Sequence, residues 1–104
     1  MPGRVLFVCV LHSHQPVGNF DPVFEQVFQQ SYARYVEVLE EFPEIPISLH
    51  NSGCLLEWLE GQHPEYLERL AAHAQGKRGP AWEMIGGGIS EPILTMLPER
   101  DRLG

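Results

Sequence analysis

Seven consecutive apolar residues, Val5-Leu6-Phe7-Val8-Cys9-Val10-Leu11, limit what this chain can fold into. Hydrophobicity that does not alternate with polar residues belongs to a strand covered on both faces, as inside a parallel sheet. The run stops at His12-Ser13-His14-Gln15-Pro16. A strand over 5–11 is therefore expected to deliver a polar cluster at its carboxyl end.

The elements that follow keep to the same theme. Asp21-Pro22 predicts a helix start, with Asp21 as the N-cap and Pro22 in the first helical position. Apolar residues at Phe24, Val27, Phe28, Tyr35, Val38, Leu39 and Phe42 keep near-helical spacing, and Pro43 ends the helix. Pro46 to Leu49 reads as a second short strand ending at His50-Asn51. Ser52 then caps a helix carrying Leu55, Leu56 and Leu59, broken at Gly61. Pro64 opens another helix, with Tyr66, Leu67, Leu70, Ala71 and Ala74 on one face, ending at Gly76. A third strand is expected over 81–85, running into Gly86-Gly87-Gly88, and a further helix start falls near Pro98. The order β-α-β-α-α-β argues for an α/β fold with parallel strands and right-handed crossovers. Three strands leave both sheet edges open, and open edges invite self-association.

Charge and length narrow the function. The formal net charge is −7 and no basic run exists, which excludes nucleic acid and anionic membrane as expected partners. No stretch approaches the ~20 apolar residues of a membrane span. The apolar run near the N-terminus is short for a secretory signal and lacks a small-residue cleavage site after it. Cys9 and Cys54 form no CxxC pair and are expected to be reduced core thiols, so the protein is expected in the cytoplasm. At 104 residues the chain is one small domain or part of a larger one.

Ligands of parallel α/β proteins bind at the carboxyl ends of strands. Here the first strand brings His12 and His14, the second His50, and the third Glu83. Strand-end residues simply meeting water are the plain alternative. His12 and His14, two apart, point to one side of a strand. Two chemistries stay open. With His50 as a third ligand the set suits zinc and a metal-dependent hydrolase. Otherwise His14 and Gln15 offer donors and acceptors to sugar hydroxyls. Glu83, between Trp82 and Met84-Ile85, is expected to be an acid inside an apolar strand. That placement is expensive unless the acid is paired, and so it often marks a site. An exposed edge position is the alternative. The triple glycine is no phosphate-binding fingerprint, and Trp58 and Tyr66 read as helix packing. Glycosidases need carboxyl groups about 5 Å apart for retention or about 6.5–9.5 Å for inversion. Glu83 and Glu91 are the plausible pair near the third strand, but the turn between them leaves catalysis unestablished from residues alone.

The motifs also carry a resemblance. His12-Ser13-His14-Gln15-Pro16-Val17-Gly18-Asn19-Phe20 is similar to the opening signature of glycoside hydrolase family 57. His50-Asn51-Ser52-Gly53 with Leu55-Leu56-Glu57-Trp58-Leu59 resembles its second strand and following helix. Glu83-Met84-Ile85-Gly86-Gly87-Gly88 with Glu91-Pro92-Ile93-Leu94 resembles its second conserved segment, although Ile89-Ser90 stands where the family usually has an aromatic pair. The resemblance implies the N-terminal part of an incomplete seven-stranded barrel, with all of 1–104 a single partial domain. It implies a retaining hydrolase or 4-α-glucanotransferase acting on an α-glucan or maltooligosaccharide, with no cofactor or metal assigned. By resemblance His14 and Glu83 line the substrate site, with His12, Gln15 and His50 nearby. The family's nucleophilic glutamate ends a fourth strand and its acid/base aspartate a seventh, so no catalytic residue is assigned here. A non-catalytic carbohydrate-binding remnant that oligomerises is the competing expectation.

Overall fold

The computed structural model describes residues 2–102. Three parallel strands, β1 (Val10–Ser13), β2 (Ser48–Asn51) and β3 (Glu83–Ile85), lie in the order β1-β2-β3. Between β1 and β2 run α1 (Asp21–Val27), a π-helical turn (Phe28–Tyr32) and α2 (Ala33–Glu40), one uninterrupted helical rod. The helices α3 (Gly53–Gln62) and α4 (Pro64–Ala74) join β2 to β3, and a 3-10 turn (Leu94–Met96) precedes α5 (Glu99–Arg102). The β-α-β-α-α-β order read from the sequence is the observed one.

The first strand is shorter and later than expected. Val5 is 92% exposed and Val8 71%, and neither belongs to a strand. The reason lies in the partner. The Ser48 N–H donates to the Cys9 carbonyl at 3.0 Å, and β2 begins only there. Pro43 and Pro46 precede it, and proline has no N–H to extend a ladder. The apolar run overshoots the end of its neighbour, so its leading residues find nothing to pair with.

Coverage of both faces is also corrected. Phe24, Phe28, Tyr32 and Val36 from the rod, Leu55 and Leu59 from α3, and Tyr66 and Leu70 from α4 bury Ile47, Leu49 and Trp82. Alternation along the strands sends Val10, His12, Glu83 and Ile85 to the opposite face, where they remain exposed. The core therefore sits on one side of the sheet, and the histidine face is the open one.

The rod carries its own lesson. Phe24, Phe28, Tyr32 and Val36 follow at steps of four, which in an α-helix drift by about 40° each. A π-turn takes more residues per turn and absorbs part of that drift. Tyr32 and Val36 thus stay against the core, while the expected Val38 and Phe42 are exposed. Asp21 is the first residue of α1, and Phe20 is the N-cap. Asp21 therefore acts through its charge at the positive helix end rather than as a cap. Ser52 is the N-cap of α3, but its hydroxyl meets Cys54 Sγ at 3.5 Å instead of capping. The helix runs through Gly61 and ends at His63, where Pro64 starts α4. Trp58 stacks on Phe24 at 5.2 Å, the helix packing expected of it.

Candidate functional site

His12 and His50 are register partners across β1 and β2, so their side chains rise side by side from the open face. Their Nδ1 atoms are 2.7 Å apart and their rings nearly parallel, with centroids at 4.9 Å. His14 continues the row, its ring 6.0 Å from that of His12. The loop after β3 then folds back over these strand ends, which two glycines permit. A Cβ on Gly53 would stand 2.6 Å from the Ile89 Cα, and one on Gly87 would stand 3.1 Å from His50 Nε2. The fold-back brings down Glu91, the only non-glycine among the described residues with positive φ, at 50°. Its Oε2 lies 2.9 Å from His14 Nδ1, and its Oε1 lies 3.4 Å from His12 Nε2 and 3.7 Å from His50 Nδ1.

The structure therefore brings His12, His14 and His50 together and leaves two other sequence candidates apart. Glu83 is the first residue of β3, in register with Ser48 rather than His50. It shares the histidine face but lies one side-chain repeat, about 7 Å, toward the strand starts. It is exposed and accepts a hydrogen bond from Ser48 Oγ at 2.8 Å. The expectation of an acid buried in an apolar strand is corrected: Trp82 is buried on the helix side, and Glu83 alternates away from it. Gln15 is 8% exposed, and both ends of its amide are engaged. It donates to Tyr32 Oη at 3.1 Å and accepts from Asn19 Nδ2 at 2.8 Å. Tyr32 in turn donates to the His14 carbonyl at 3.0 Å, and Tyr35 and Ser13 share a hydrogen bond of 2.8 Å. These bonds fix the backbone on which the histidines stand. Cys9 and Cys54 are free and half-buried, and the Cys54 thiol donates to the Gln15 carbonyl.

The sequence pairs Glu91 with Glu83, whereas the structure pairs it with the histidines. The signal in the sequence is the triple glycine, which permits a return over the strand ends that no periodicity reports. The ion pairs of Glu91 among the described residues are all with histidine. Three imidazoles and a carboxylate on an open face offer donors and acceptors a few ångströms apart, suited to a ligand rich in hydroxyls.

A three-stranded parallel sheet with helices, its histidines gathered at the strand carboxyl ends, defines the class, an α/β protein of the parallel-sheet kind. Within that class the chain belongs to glycosyl hydrolase family 57, whose model matches residues 8–103. It is 45% identical over 100 residues to a 4-alpha-glucanotransferase of Thermococcus litoralis, covering 96% of this chain and 15% of that protein. It is 43% identical over 103 residues to alpha-amylase 1 of Dictyoglomus thermophilum, covering 99% of this chain and 15% of that relative. The crystal structure of 4-alpha-glucanotransferase from Thermococcus litoralis matches with a TM-score of 0.83 at 44% identity, over 97% of this chain and 15% of that one. The three-stranded sheet is thus the N-terminal portion of a family 57 barrel. The chain spans 15% of the length of the curated relatives it matches.

Proposed function

We propose that this chain forms the opening strands of an α-glucan-acting hydrolase or 4-α-glucanotransferase and supplies part of its sugar site. The observation that carries the reading is the gathering of His12, His14, His50 and Glu91 at the strand carboxyl ends, on the sheet's open face. In this reading the three imidazoles bind sugar hydroxyls. Gln15 holds the strand end in place through Tyr32, and Glu83 extends the polar strip along the same face. With the nucleophile and the acid/base expected on a fourth and a seventh strand, these three strands are expected to bind sugar without turning it over. Titration of the chain with maltooligosaccharides by heteronuclear NMR should shift the His12, His14 and His50 signals, weakened at least tenfold in His14→Ala. Reducing-sugar release should stay at background. Absence of binding at millimolar sugar, or turnover abolished by Glu83→Ala, would overturn the reading.

The sheet edges support self-association. β1 and β3 both end the sheet, and the apolar Val5–Val8 stretch beside β1 is exposed. Sedimentation equilibrium should give a mass above that of one chain, and a clean monomer would contradict it. The free thiols Cys9 and Cys54 support a reducing, cytoplasmic setting. No helix among the described residues is long and apolar enough to cross a membrane.

A further inference from the structure

We propose that His12, His50 and Glu91 form a binding site for one divalent transition ion of the zinc class, with His14 as the residue that positions Glu91. One ligand atom from each of the three residues lies within 4.8 Å of the others. A tetrahedral ion with bonds of about 2.0–2.1 Å keeps its ligand atoms about 3.3 Å apart. His50 Nδ1 lies 3.7 Å from Glu91 Oε1, and His12 offers either Nδ1, 2.7 Å from His50 Nδ1, or Nε2, 3.4 Å from Glu91 Oε1. His12 is 51% exposed, so its ring is free to open the shortest of these separations.

Two features favour an ion over a chance cluster. His14 takes Oε2 of Glu91 at 2.9 Å, leaving Oε1 turned toward the other two imidazoles. An outer partner commonly orients a ligating carboxylate in this way. Glu91 also holds a left-handed backbone conformation that non-glycine residues adopt at a cost, and such strain gathers at functional positions. Two imidazoles and one carboxylate suit zinc, cobalt or nickel rather than the all-oxygen shells of calcium and magnesium. Three protein ligands leave a coordination position open toward the uncovered face. The sequence alone suggested His12, His14 and His50 as a metal set; the geometry puts Glu91 in the place of His14.

This inference shares its residues with the α-glucan reading but not its ligand. The test is calorimetric titration of the chelator-treated chain with zinc chloride, paralleled by cobalt absorption spectra. One ion should bind per chain, and cobalt should give the intense visible bands of tetrahedral coordination. Glu91→Gln and His50→Ala should weaken zinc binding at least 100-fold, and His14→Gln about tenfold. His63→Gln, away from the cluster, should leave it unchanged. Should Glu91→Gln fail to fold, His12→Gln at its half-exposed position makes the same demand. Absence of stoichiometric binding, or equal affinity in the ligand variants, overturns the site. A chain that binds zinc but no maltooligosaccharide defeats only the α-glucan reading, and the reverse result defeats only this one.

Discussion

Glu40 and Glu91 are both carboxylates ringed by partners distant in sequence, one on the packed side of the sheet and one on the open side. Glu40, the last residue of α2, accepts from Arg69 Nε at 2.7 Å and from its Nη2. His73 Nε2 at 2.6 Å and Arg78 Nη1 at 3.0 Å complete the ring, and Trp82 lies flat on the His73 imidazole at 3.7 Å. The Arg69 hydrogen bonds hold the Glu40 carboxyl down to about 2. Two permanent cations leave that carboxylate nothing further to bind, and the cluster fastens α2 to α4 and to the segment before β3. Glu91 meets imidazoles alone. Imidazole carries charge only when protonated, so lone pairs and carboxylate oxygens there stay available to a ligand. What separates a clamp from a site here is the kind of cation supplied.

That contrast breaks most visibly at Arg69. Arg69→Met strips Glu40 of its paired hydrogen bonds, and about 2 kcal/mol of stability should go with it. For a domain of this size Tm should fall by roughly 10 °C. Urea denaturation at pH 7 measures the loss, and a change below about 0.5 kcal/mol would erase the distinction between the two carboxylates.

Acid should sharpen the same contrast. The folded pKa of Glu40 is depressed from 4.5 to about 2, so the unfolded chain takes up this proton first as pH falls. Its contribution is full above 4.5 and disappears as pH drops through about 2. Urea midpoints at pH 6 and pH 3 should differ, and Glu40→Gln should flatten that part of the slope. His63 works on the other flank. Burial lowers its pKa, but hydrogen bonds to Glu25 and Glu65 carry it above 6.5. Its contribution is full below 6.5 and is lost as pH rises through the raised folded value, so His63→Gln should level the alkaline side. The smallest effect belongs to Glu91→Gln, which should change stability by less than about 0.5 kcal/mol, because two of its three partners, His12 and His14, are about half-exposed and none is an obligate cation. A loss comparable to Arg69→Met in the same urea titration would make Glu91 a clamp as well.

The sequence displayed what depends on neighbours along the chain. Pro22, Pro43 and Pro64 mark helix limits, and the polar residues closing each apolar run put His12, His14 and His50 at strand ends. It concealed what depends on distant partners. The length of β1 is set by where β2 begins, so the Val5–Leu11 run named a strand but misplaced it. Tyr32 and Val36 escaped because a π-turn breaks the 3.6-residue period. The partners of Glu40 lie 29 to 38 residues away in sequence, and no local pattern joins them. Glu91 reaches the histidines through a loop whose path is decided by steric room.

That steric room has a consequence for how the molecule can vary. Gly53 opens α3, and alanine there would ordinarily strengthen a helix by up to about 1 kcal/mol. The same methyl group would collide with the Ile89 backbone, at 2.6 Å from its Cα, and lever the loop outward with Glu91 on it. Helix quality and the reach of a strand-end carboxylate are therefore opposed through one atom's clearance. The alanine that would make α3 sturdier at position 53 would leave the histidines without their acid.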